Sequence, residues 1–441
     1  MATPLGFDAL KSILHRRIDA LPDHRKRGPN TRYRVQDAAL GALGIFFTQS
    51  PSFLDYQRHL QKTKGHNNAC TVFGVETIPC NNQIRNLLDP LMPRSLDGVY
   101  LEVFEGLEQY GLLANFRGLA DQLLLALDGT QYFSSQTIHC QNCLRRQTSK
   151  GSTLYYHSAI TPVIVCPGRS EVIALPPEFI MPQDGHDKQD CERVAGKRWI
   201  DKYAEYVAPY GVTLLGDDLY SNHPLCKLAL ENGFNFIFVC KPDSHPTLYE
   251  RVAFWQANDG RVQMESRHWN GRYTEVTLYR DINDVLLRSG HDALSVQWFE
   301  MTVVNAKTGE QLYHHSFITN HRLSAATISQ VAQAGRGRWK VENEKNNVLK
   351  AKGYHIEHNF GHGKRYLAAF MLSLNLLAFL FHTVLQWCDG KYALLRQVLV
   401  RRQTFFDDIR ALTRYMVFES WPHLMDFMLR GLELESKFDT G

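Results

Sequence analysis

The sequence predicts an α/β protein: a mixed sheet flanked by helices, preceded by a helical N-terminal region and interrupted by a β-rich insertion. Three observations predict it. Roughly the first ninety residues carry apolar side chains at helical spacing; from Asp121 onward short apolar runs alternate with amphipathic stretches; and beyond Val262 the pattern turns to hairpins. At 441 residues the chain is too long for one ordinary core and buries enough to need no disulfide staples.

In the N-terminal region Leu40, Leu43, Gly44 and Phe47 share one face of a helix opening near Gln36, and SFLDYQRHL gives a second after Pro51. Asn81 can cap a third helix, with Ile84, Leu87 and Leu88 apolar, before Pro90 stops it. LLLALD (123–128), YYHSAITPVIVC (155–166) and EVIALP (171–176) then read as three strands. A helix follows from about Asp187, because Cys191, Ala195, Trp199 and Tyr203 recur every fourth residue. VTLLGD (212–217) is a strand, Leu225 to Leu230 a helix ending at Gly233, and NFIFVC (235–240) another strand, so the order is βββ, α, β, α, β. Asn270-Gly271 supplies the positive φ angles of a tight hairpin turn, and SVQWFEMTVV with QLYHHSFIT suggests a second hairpin around Lys307-Thr308-Gly309. Ser324 can cap a long helix running to Gly353. The apolar stretch YLAAFMLSLNLLAFLFHTVLQW (366–387), interrupted by Ser373, Asn375 and His382, reads as a buried core helix rather than a membrane span. The resulting units are a helical N-terminal region (1–115), which suits either a DNA-binding module or a plain helical bundle because no helix-turn-helix spacing in it is diagnostic, a core in two parts (120–244 and 321–390), a β-rich insertion (245–320) and a helical C-terminal region (391–441).

Lysine and arginine exceed aspartate and glutamate by only 49 − 45 = 4, so no global field advertises a polyanion. The distribution is more telling. Eight Lys/Arg stand against two Asp between Lys11 and Arg34, and the run containing Arg25, Lys26 and Arg27 is punctuated by Gly28 and Pro29 like an exposed arm suited to phosphates. Nine scattered cysteines, with no charged n-region and apolar core at Met1, suggest a reduced cytoplasmic setting. No Gly-rich phosphate loop or Ser-His-Asp ordering stands out, which leaves nucleotide hydrolysis and acyl transfer without support.

The chemistry lies in the acids. Asp128 ends the first strand in LALDGT and Asp217 ends the fourth in LLGDDLY, each after a run apolar enough to be central, where an ionised group is costly unless something neutralises it. A divalent cation does so: Mg²⁺ (or Mn²⁺) prefers carboxylate oxygens, and two such ions can activate a water and stabilise a leaving 3′ oxygen. The third ligand is Glu342, in RGRWKVENEKNN, four residues after Arg338. Each acid alone also suits a turn or a helix cap. Together they follow the order first strand, fourth strand, late helix, which an RNase H-like fold uses to gather its ligands.

On LALDGTQYF, LLGDDLYSN and FITNHRLSAATISQVAQAGRGRWKVENEKNNVLKAKGY the sequence resembles a DDE transposase of a bacterial insertion sequence, over roughly residues 35–385, with an RNase H-like core and a β-rich insertion between the second Asp and the Glu. In that family the Glu helix carries a tyrosine, an arginine three residues later, the glutamate four after that and a lysine seven further on. Arg338 and Glu342 match; Gly335 stands at the tyrosine position and Leu349 at the lysine position, with Lys350 adjacent. An Asp-x-x-aromatic turn selects Asp217 through Tyr220, with Asp218 as its rival, and the arginine spacing selects Glu342 over Glu344. The resemblance implies metal-dependent cleavage and strand transfer on double-stranded DNA, both the terminal inverted repeats and target DNA. It also implies a homodimer on DNA, no membrane, and a place in the bacterial cytoplasm at the nucleoid. Arg338, Lys345 and Lys350 would contact backbone, and Trp298, or Trp269, could stack on a base flipped from the element end.

Two further groups have weaker patterns. IHCQNC supplies His139, Cys140 and Cys143, and His157 follows; Cys140 and Cys143 make one knuckle of a structural Zn²⁺ site that His139 or His157, together with Cys191, could complete, although a second Cys-x-x-Cys knuckle is missing. Asp184, Asp187, Asp190 and Glu192 precede or open a helix, where acids favour the macrodipole and need no further role.

Overall fold

A computed structural model of the chain describes residues 5–26, 28, 31–60, 65–182, 190–259 and 264–434. Thirteen strands are present among them. They are β1 (Leu123–Ala126), β2 (Gly129–Ser135), β3 (Leu144–Gln147), β4 (Thr153–Ile160), β5 (Val163–Val165), β6 (Ile173–Ala174), β7 (Glu178–Ile180), β8 (Val212–Gly216), β9 (Asn235–Val239), β10 (Met264–Trp269), β11 (Thr274–Leu286), β12 (Ser295–Asn305) and β13 (Gln311–Thr319). Nine form one mixed sheet in the order β10-β11-β12-β13-β9-β8-β1-β5-β6, and β2, β4 and β3 form a second sheet with β7 paired to β4.

The centre of the large sheet is parallel: β1 pairs with β8 and β8 with β9, while the flanking pairs are antiparallel. Every residue of β1 and β8 is buried, as expected of strands covered on both faces. The hairpin expected at Asn270-Gly271 is present, but its loop has four residues, 270–273, rather than two, since Trp269 pairs with Thr274 and Asn270 N donates to Tyr273 O, and Gly271 (φ 92°), not Asn270, takes a positive φ; β11, β12 and β13 continue as an antiparallel meander up to β9.

Several elements differ from the sequence reading. The stretch 155–166 is two strands in two sheets, because Pro162 has no N–H to continue a ladder and the chain turns at Thr161-Pro162. β2, β3 and β7 were not anticipated: Asp128-Gly129 looks like a turn, yet Gly129 opens a strand. Asn81 is the first residue of its helix, Asn81–Leu88, and Cys80 holds the cap position. The helix expected from about Asp187 is Glu192–Val207. The helix expected from Ser324 is Ile328–Arg336, followed by a tight turn at Gly337–Trp339, a wide π-helical segment at Val341–Asn346 and a last turn at Asn347–Ala351.

The apolar helix Leu367–Cys388 is long and apolar enough to cross a membrane, but 89% of its most apolar window is buried inside this fold. Its polar interruptions serve packing: Asn375 Nδ2 donates to Tyr354 O at 2.8 Å, and His382 contacts Phe47 O at 3.0 Å and the Tyr354 hydroxyl at 2.7 Å. N- and C-terminal helices meet around it. Phe7 stacks on Trp421 with ring centroids 4.8 Å apart, and buried Asn68 bonds Thr413 O, Met416 O and Phe418 N.

Candidate functional site

The parallel register of β1 and β8 pairs Leu123 with Val212 and Ala126 with Leu215. Leu127 N continues it, donating to Leu215 O at 2.9 Å. The same offset carried two residues further sets Asp128 beside Asp217, since parallel strands bring their like ends to one edge of the sheet. The helix with Arg338 and Glu342 crosses this edge: Gly337 lies against Leu215, Val165 and Leu124. Gly335 is tighter still, because a Cβ there would come within 3.0 Å of Ile237 and 3.2 Å of Phe317, so this packing has no room for a tyrosine. Leu349, likewise, is fully buried, whereas neighbouring Lys350 is exposed and pairs with Glu357 at 3.1 Å.

Asp128 is the electrostatic centre. Burial pushes its carboxyl pKa up, Lys345 and Arg338 pull it down, and the charges of Asp217 and Glu342 push it up again. Arg338 reaches Asp128 at 3.8 Å rather than pairing with Glu342. Asn346 Nδ2 approaches Asp128 at 3.5 Å, while Asn346 Oδ1 is buried with no partner among the described residues. Asp217 accepts from Leu219 N at 2.9 Å and, through its backbone carbonyl, from Tyr220 N at 3.0 Å, closing the turn expected of Asp-x-x-aromatic. Its rival Asp218 is spent elsewhere, accepting from Lys241 N at 2.7 Å and from the Ser244 hydroxyl. Glu344 lines a shallow cleft with Arg169, Arg336 and Lys340, whereas exposed Glu342 acts on Asp128.

Glu192, read from the sequence as mere helix-start charge, belongs to this group. Its Oε1 accepts from Gly129 N at 3.0 Å and from the buried Tyr220 hydroxyl at 3.1 Å. Burial and then the Asp217 and Asp128 charges push its pKa up. A Cβ on Gly129 would lie 2.3 Å from Glu192 Oε2, so the glycine is what admits the carboxylate. The helical spacing placed Ala195, Trp199 and Tyr203 on the buried face, and Glu192 lies one turn before Ala195, a signal that could have found it.

Two expected DNA contacts are corrected. Lys345 is fully buried, and its Nζ donates to the carbonyl and hydroxyl of Thr161, so it supports Asp128 from inside and reaches no phosphate. Trp298 is 1% exposed and packs edge-on against Tyr249, which excludes base stacking; Trp269 is 60% exposed. In the basic arm Arg25 is held by Asp23 and Tyr33 O, Lys26 is exposed, and Arg27 lies outside the described residues, as do Asp184 and Asp187. Ahead of the arm, two of the eight bases are not free: Phe7–Asp19 is a packed helix, and Arg16 and Arg17 pair with Glu102.

Among the described residues, the group whose ligand atoms already converge is a different one. Cys140, Cys143, His157 and His362 bring their sulfur and nitrogen atoms within 4.8 Å of one another and could hold a metal ion. His139 is outside it, stacked on Tyr155 at 4.4 Å, and Cys191 is exposed at the start of its helix. The carboxylates of Asp128, Asp217 and Glu342 do not converge to that extent. Their donors are all hard oxygens, and Asn346, which approaches Asp128 through its Nδ2, carries a buried Oδ1 without a partner among the described residues. That set fits a hard divalent cation. The fold and its acidic sheet edge thus define a mixed α/β protein with a cation-suited corner. No protein-family model and no curated protein matches the chain.

Proposed function

We propose that the chain is a DDE-type transposase with an RNase H-like core, which binds the ends of its element as a homodimer, cuts double-stranded DNA and joins the freed 3′ hydroxyl to target DNA. The observation that carries this reading is the side-by-side setting of Asp128 and Asp217 just past the ends of adjacent parallel strands, with Glu342 acting on Asp128 from a crossing helix. Asp128, Asp217 and Glu342 would hold Mg²⁺ or Mn²⁺, two ions in the full site. When bound, these ions activate water and stabilise the leaving 3′ oxygen. Arg338 is partly exposed, which leaves its remaining N–H groups available to a phosphate next to Asp128. Glu192 and Tyr220 fix the turn that carries Asp217, and Lys345 offsets Asp128 from beneath.

The test is cleavage of a duplex carrying the element end, in Mg²⁺, by the unaltered chain and by Asp128→Ala, Asp217→Ala and Glu342→Ala singly, with end binding followed by gel shift. Each substitution is expected to abolish cutting and spare binding. Undiminished cutting by all three would sink the carboxylate assignment, and cutting without joined products would leave an RNase H-like nuclease instead.

A further inference from the structure

We propose that Cys140, Cys143, His157 and His362 form a tetrahedral Zn²⁺ site that pins the small sheet to the segment following the Glu342 helix. The proposal is independent of the transposase reading, since it rests on another corner of the molecule and on different atoms.

The distances argue for it first. Zn–S bonds of about 2.3 Å and Zn–N bonds of about 2.0–2.1 Å at tetrahedral angles require edges of about 3.8 Å between sulfurs, about 3.6 Å between sulfur and nitrogen and about 3.3 Å between nitrogens. Here Cys140 Sγ and Cys143 Sγ are 3.9 Å apart, and His157 Nε2 lies 3.5 Å from each sulfur. His362 Nε2 is 3.4 Å from Cys143 Sγ. These separations match a ligand cage around a shared centre. They do not match a disulfide, whose sulfurs must approach to about 2 Å.

Local construction argues for it next. Cys140 N donates to Cys143 Sγ at 3.4 Å, so the Cys-x-x-Cys loop already bends its backbone toward the sulfur. Both imidazoles are buried, and both turn Nε2 inward. Tyr132 stacks on His157 at 5.6 Å and Phe133 packs on His362 at 4.3 Å, which orients the rings and keeps water out. His362 Nδ1 has no partner among the described residues, so that ring is held by packing. Gly361 and Gly363, at φ 152° and 70°, let the loop make this approach, and Asp89 accepts from the N–H groups of Lys364, Arg365 and Leu367 just beyond it.

Two thiolates and two imidazoles select zinc over Mg²⁺, and four protein ligands leave no open position, so the role is structural. Binding takes both cysteines as thiolates and holds the segment between Ala351 and Leu367 against β4 and the turn between β2 and β3. Since β2 begins at Gly129, directly after Asp128, the clamp ties both flanks of the acidic corner.

The experiment measures zinc per chain by mass spectrometry of metals, on protein purified in reducing buffer without chelator. The expected value is one zinc per chain. Cys143→Ser and His362→Ala should each lose it, and His139→Ala should retain it. If a ligand variant fails to fold, replacement of the metal by Co²⁺ in the unaltered chain decides: the intense visible bands of a tetrahedral thiolate site support the proposal. Folded, unaltered protein that takes up neither ion when offered one equivalent would overturn it, and so would full zinc retention by folded His362→Ala.

Discussion

Lys345→Met removes a fully buried amino group whose Nζ donates to Thr161 and whose charge opposes that of Asp128. Burial lowers the pKa of Lys345 from 10.5 to about 7, against the pull of Asp128 in the other direction. In the unfolded chain the lysine returns to water and its ordinary value. Between those two values the unfolded state holds one more proton than the folded state, so stability rises with pH by about 1.4 kcal/mol per unit. Because the folded pKa is the depressed one, the contribution is complete above the unfolded pKa and is lost as pH falls through about 7. From about pH 8 to about pH 9.5 the unaltered chain should therefore gain about 2 kcal/mol relative to Lys345→Met. Urea unfolding followed by circular dichroism at several pH values gives the difference directly, and tyrosines and cysteines that titrate in the same range cancel between the two proteins. A difference that stays flat across the window would refute the reasoning, because it would mean that the lysine keeps its proton in the folded state.

Gly129→Ala should displace Glu192, because the new methyl would lie 2.3 Å from Oε2; the expected loss is about 1–3 kcal/mol, read by thermal unfolding. Trp298→Ala should cost about 3–5 kcal/mol as a buried aromatic truncation, whereas Trp269→Ala should change stability by less than about 0.5 kcal/mol; equal melting temperatures for the two variants would contradict their burial. Millimolar Mg²⁺ should raise the melting temperature of the unaltered chain, by about 2.7 kcal/mol of stability at a hundredfold excess over its dissociation constant. Asp128→Asn or Asp217→Asn should remove that response, and calorimetry with and without the ion checks it.

What the sequence disclosed follows from how its signals arise. β1, β8 and β9 were legible because strands buried on both faces are continuous apolar runs, and the β10–β11 hairpin because Gly271 takes a positive φ between two strand-like runs, although its loop is four residues rather than two. β2 was hidden because Asp-Gly usually marks a turn; here the glycine opens a strand to make room for an oxygen of Glu192. Lys345 looked like a surface base, although Val341, Lys345 and Leu349 recur every fourth residue and all three are buried. Its burial could have been read from its two apolar neighbours. His362 could not: it reaches the Cys-x-x-Cys loop only through tertiary folding, from far along the chain, and no local periodicity points there.

The acidic corner is arranged against the stability of the bare fold. An antiparallel pair would have sent the two strand-end acids to opposite edges, but the parallel register of β1 and β8 brings them together, and Glu192 and Glu342 are added from two helices. The opposing charge is thin: Arg338 stands 3.8 Å from Asp128, and burial pushes the Lys345 ammonium down from 10.5 to about 7, weakening its hold on the proton. Four acids gathered at one half-exposed edge, with burial and mutual repulsion pushing the Asp128 and Glu192 carboxyls up, make a corner that a bound cation would relieve. The other corner has the opposite character, with soft sulfur and imidazole donors in an aromatic enclosure. On the two proposals made above, ligand softness sorts the ions: Mg²⁺ has no affinity for the thiolates, and Zn²⁺ is drawn to them. Mg²⁺ is thereby kept from the sulfur site and Zn²⁺ is drawn to it first, although the two sites are joined by one short strand.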